Sequence, residues 1–79
     1  MRIDIIPNAE QHGITHDEIR AVVSYPALRI ALAPRIPNTT PVLHIGPAAA
    51  NEPWIEVIAD NVTPTELIIF HAMMLRPTL

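Results

Sequence analysis

The stretch HGITHDEIRAVVSYP, residues 12–26, decides how this chain must fold. Thr15 and Glu18 stand three residues apart and spell a capping box, with Ile14 and Ile19 placed as its hydrophobic staple. A helix then runs from about His16 to Ser24. Ile19, Val22 and Val23 form its apolar stripe at i, i+3, i+4. Pro26 ends it by biasing Tyr25 out of the helical region. Just upstream, Gly13 suits the left-handed stop that follows a helix, and Asn8 can cap a first short helical turn reaching His12. Two short helices are therefore expected near the N-terminus.

Strands lie on either side. RIDII (2–6) reads as a short strand closed by Pro7, which cannot donate to a ladder. LRIAL (28–32) alternates, with Arg29 facing away from Leu28, Ile30 and Leu32. APRIPNTTP (33–41) is a loop of prolines, asparagine and threonines. VLHI (42–45) is the next strand and GPAAANEP (46–53) the next turn. WIEVIAD (54–60) sets Ile55, Val57 and Ala59 against Trp54, Glu56, Ile58 and Asp60. After NVTPT (61–65), ELIIFHAM (66–73) is apolar on both faces, as a central strand covered on both sides would be. Leu75 to Leu79 read as a short tail. The expected architecture is α+β: two short N-terminal helices packed on a twisted antiparallel sheet of four to five strands, in one domain over 1–79.

Composition narrows the function. The 79 residues carry five arginines, no lysine, eight acids and a net charge of −3. That balance excludes the long cationic footprint of a general nucleic-acid binder and leaves room only for a small site built from placed arginines and histidines. No cysteine is present, so disulfides and thiolate metal sites are excluded and a cytoplasmic location is expected. No apolar run is long enough to span a membrane. A domain of this length buries a modest share of its surface, which favours a second copy or a partner.

His12 and His16 sit at i, i+4, the spacing of paired ligands on one helical face. Gly13 and the capping box fall between them, however, so the backbone reverses at the midpoint. A local polar role is the better reading, with no metal or cofactor expected. His71, set among Ile69, Phe70 and Met73, reads either as a half-buried core histidine or as a general acid/base helped by Arg76. His44 alternates out of its strand and could share a face with His71. Arg29 and Arg35 flank the second strand. Trp54 with Met73 and Met74 reads as a contact surface for a partner, or, for the methionines, as closure of the chain's own core.

The order of these features resembles a known family. QHGITHDEIRAVVSYP resembles the His-Gly corner and capped, proline-terminated helix of BrnT-like toxins, members of the wider RelE/ParE group of type II toxin–antitoxin systems. VLHIGPAAANEPWIEVIAD looks like that family's hairpin, and IIFHAMMLRP falls at its last strand. The resemblance implies a compact α/β toxin that cleaves RNA without a metal and is held by a small DNA-binding antitoxin. Position by position, His12 matches the family's histidine before glycine, and His71-Ala72 lies over its Ser-Ala pair. The family's next arginine falls on Met73, so Arg76 would act from three residues on. In an endoribonuclease His71 and His12 would be the acid/base groups with Arg76, and Arg35, Arg29 and His44 would contact RNA. The alternative is a non-catalytic, toxin-derived module that homodimerises or binds an antitoxin-like partner through Trp54, Met73 and Met74.

Overall fold

The computed structural model of the chain describes residues 1–76. It comprises β1 (Arg2–Ile5), a single 3₁₀ turn (Pro7–Glu10), α1 (His16–Ser24), β2 (Leu28–Ala31), β3 (Pro41–Pro47), β4 (Trp54–Thr63) and β5 (Glu66–Met74). The five strands form one sheet in the order β1-β5-β4-β3-β2. The tail expected over 75–79 lies mostly outside the described residues.

Two features correct the expected architecture. Among the described residues there is one α-helix and not two. Pro7 can begin a helical turn but Ile6, the residue before it, makes no side-chain cap, and Asn8 spends its amide elsewhere, donating to the Phe70 carbonyl at 3.0 Å. Gly13, at φ +75°, then turns the chain before a second turn can add on. The sheet is also mixed, because β1 runs parallel to β5, with Ile3 opposite Leu67 and Ile5 opposite Ile69. The 3₁₀ turn and α1 carry the chain from this edge across one face to β2 at the far edge, and the meander from β2 then brings β5 back beside β1. The other neighbours are antiparallel.

The helix forms where local chemistry dictates. Thr15 Oγ1 accepts from the Glu18 N–H at 3.1 Å, and the Glu18 carboxylate accepts from the Thr15 N–H at 2.9 Å. Asp17 and Glu18 sit in the first turn, where the helix dipole favours negative charge. Ile19, Val22 and Val23 are buried against β3 and β4. They meet Ile55, Val57 and Ala59 of β4 and Leu67, Ile69 and Ala72 of β5 in one core, which Ala9 and Ile14 complete. Gly46 is the close approach in this layer: a Cβ there would stand 3.0 Å from the Ala27 backbone nitrogen.

Among the described residues no helix lies over the opposite face of the sheet. Leu43, Ile45, Ile58 and Met73 share it and are half-buried, and Trp54 and Ile30 share it and are exposed. β5 is thus central in the sheet but covered on one side only. No helix among the described residues is long and apolar enough to cross a membrane.

Candidate acid–base site

His71 owes its direction to a β-bulge. On strict alternation His71 would share the face of Ile69, which is fully buried under the helical layer. The register instead slips beside Phe70: Ala59 pairs with Ile69, and the next β4 residue back, Ile58, pairs with His71. One extra residue on β5 therefore turns His71 onto the open face and returns Ala72 to the core beside Val57.

On that face Glu56 of β4 lies diagonally opposite. Its Oε2 stands 3.0 Å from His71 Nε2, and both side chains are largely shielded, at 22% and 14% exposure for His71 and Glu56. A carboxylate only accepts, so Nε2 is the protonated nitrogen in a neutral imidazole and Nδ1 carries the free lone pair.

The same bulge anchors the 3₁₀ turn. Ile6 N–H donates to the Ile69 carbonyl at 3.1 Å and Asn8 Nδ2 to the Phe70 carbonyl at 3.0 Å. The chain leaving this turn carries His12, whose ring meets that of His71 edge-on at 6.1 Å between centroids. His12, His71 and Glu56 thus form one cluster drawn from three parts of the sequence. The two histidines spaced at i, i+4 part company across Gly13: His12 faces His71, whereas His16 Nε2 pairs with Glu10 Oε2 at 2.8 Å.

His44 pairs with Val57 and with Arg29 in register, so it belongs to the helix-covered face and not to that of His71, contrary to the shared face expected from alternation. It is buried, and its Nδ1 has no hydrogen-bond partner. Burial lowers its pKa and nearby Arg29 lowers it further, against the opposing pull of the Val57 and Val42 backbone nearby. Arg29 is exposed on β2, and Arg35 is exposed in the β2–β3 loop. Arg76 follows the end of β5 and is exposed. Trp54 and Met73 share the open face, but Met74 pairs with Ile55 and so points to the other.

Glu56 is the member of the cluster that sequence reasoning did not single out. The alternation of WIEVIAD placed it outward, but only the β4–β5 register shows that His71 is within its reach. Among the described residues no group of three or more His, Asp or Glu side chains converges as a cation site. Comparison with known protein families, curated proteins and solved structures gives no match.

Proposed function

We propose that this chain is a toxin-type, metal-independent ribonuclease whose acid–base pair is His71 and His12. The observation that carries this reading is the shielded Glu56–His71 hydrogen bond with the His12 ring against its open side. Glu56 fixes the His71 tautomer, leaving Nδ1 to take the proton of a ribose 2′-hydroxyl as its oxygen attacks phosphorus. The P–O5′ bond breaks, and protonated His12 supplies the proton to the leaving oxygen. The products are a 2′,3′-cyclic phosphate and a 5′-hydroxyl. Arg76 is assigned the stabilisation of charge on the phosphorane. The order of sequence features shared with BrnT-like toxins supports the same reading and implies an antitoxin partner.

The test is inducible expression alongside an assay on purified protein. Wild type is expected to arrest growth and to cleave RNA in the presence of a chelator. His71→Ala, still folded, is expected to do neither. Harmless wild type that cleaves no RNA would sink the proposal.

A second reading rests on the uncovered sheet face, where Trp54 is 45% exposed beside half-buried Met73. Large aromatics anchor interfaces, so a non-catalytic module docking an antitoxin-like partner there is the alternative. It predicts partner binding that survives His71→Ala and fails with Trp54→Ala.

A further inference from the structure

We infer that two copies of this chain pair through β2, antiparallel across a two-fold axis at Ile30, to make one continuous ten-stranded sheet. This assembly is independent of the acid–base reading.

The two edges of the sheet are built differently. At β1, Arg2 and Asp4 form an ion pair at 3.0 Å and Arg2 also approaches Glu66 at 3.7 Å. Charge along an edge discourages a further strand. β2 is less guarded, with Arg29 as its single charge. Its sequence LRIA contains no proline, no acid and no bulge, and all four residues are exposed. Leu28 is 53% and Ile30 44% exposed, a cost in apolar surface that a lone edge strand gains nothing by bearing.

Backbone polarity selects the register. Leu32 N–H donates inward to the Pro41 carbonyl at 3.0 Å. By alternation Ile30 and Leu28 also turn their polar groups toward β3, and Arg29 and Ala31 turn theirs outward. A second β2 must therefore exchange bonds with Arg29 and Ala31. Three registers about a two-fold axis satisfy this. The one that sets Ala31 against its own copy leaves Arg29 opposite Ala33, beyond the end of β2, and two remain. One sets Arg29 against its own copy, placing like charges face to face. The other sets Arg29 against Ala31 of the second copy, Ile30 against Ile30, and Leu28 against Leu32. The second meets every condition. It also joins the uncovered apolar faces into one surface, because Leu28 and Ile30 pair in register with Ile45 and Leu43.

The occupant is a second copy because the strand is complementary to itself: its two outward donors and acceptors match those of its own inverted image, and its single charge avoids itself.

In this register the two Ile30 residues form a non-hydrogen-bonded pair with Cα atoms about 4.5 Å apart, close enough for a disulfide. The natural chain has no cysteine, so Ile30→Cys gives an unambiguous cross-link. With oxidised glutathione it is expected to form a covalent dimer rapidly, whereas Ile36→Cys, more exposed at 67%, is expected to do so slowly if at all. Wild type should sediment at twice the chain mass. Ile30→Lys should sediment at the single-chain mass with an unchanged circular dichroism spectrum. Ala31→Pro removes only an outward N–H, which an edge strand tolerates, and should also give single chains. A monomeric wild type, a dimer indifferent to both substitutions, or equal cross-linking at 30 and 36 each overturns the proposal.

Discussion

His44 and His71 flank consecutive residues of β4, Val57 and Ile58, and so point to opposite faces of the sheet. One is sealed beneath the helical layer without a partner for Nδ1, and the other is held by a carboxylate on the open side. The same residue type thus meets two different environments on the two faces of one sheet.

For His44 the consequence is a dependence of stability on pH. Its folded pKa is depressed below the ordinary histidine value of 6.5, first by burial. Above that value the imidazole is neutral in both states and no free energy depends on it. Below it the unfolded chain binds a proton that the folded chain refuses. Stability therefore falls as the pH drops from about 6.5 toward the folded pKa, by at most about 1.4 kcal/mol per pH unit. Urea unfolding at a series of pH values should show this loss, and His44→Gln should flatten it.

At the open face the substitution Glu56→Gln keeps shape and removes charge. Under the ribonuclease proposal kcat falls while KM holds, because the carboxylate orients His71 and does not touch RNA. His71→Ala should lose roughly 10²–10⁴-fold in rate, the usual contribution of a positioned acid or base. Equal KM and kcat effects from Glu56→Gln would instead mark it as a structural cross-strand pair. Single-turnover cleavage of a short RNA separates these outcomes.

The helical layer supplies one side of the core. Ile19 is fully buried among the strands, and Ile19→Ala should cost about 3 kcal/mol through lost burial and the cavity left behind. A small domain holds only about 5–15 kcal/mol in total. The unfolding midpoint in urea should therefore drop far more than for Arg20→Ala on the exposed side of α1.

Entry into that helix is set by two residues with separable roles. Thr15→Ala removes the acceptor for the Glu18 N–H and should cost about 1 kcal/mol. Gly13→Ala meets no steric neighbour, yet its φ of +75° disfavours a side chain, so a loss of about 1 kcal/mol comes from backbone strain alone. Asn at position 13 tolerates that conformation better and should recover part of the loss. Thermal unfolding of the three variants resolves the order.

These residues also show which parts of the fold could be read from the chain. Helix α1 was legible from end to end because its signals are local: the Thr15–Glu18 cap, the Ile19-Val22-Val23 stripe and the stop before Pro26. The antiparallel run from β2 to β5 was legible from alternation and turn residues, although β4 continues through Asn61 to Thr63, where a turn was expected. The partner of β1 was not, because the pairing of Ile3 with Leu67 joins residues far apart in the chain and leaves no periodic trace. His12 and His71 were both singled out, but their proximity depends on the bulge at Phe70, and an unpaired residue in one strand is invisible until its neighbour is known.

The parallel pairing of β1 with β5 also governs when the cluster comes into being. Strands β2 to β5 each lie beside their successor and can zip together as a meander with modest loop-closure entropy. β1, made first, has no partner until the chain has been synthesised as far as Ile69. The Pro7–Glu10 turn that delivers His12 waits with it, since its anchors are the carbonyls of Ile69 and Phe70. A chain still emerging from the ribosome therefore carries His12 without its neighbour until β5 has been made.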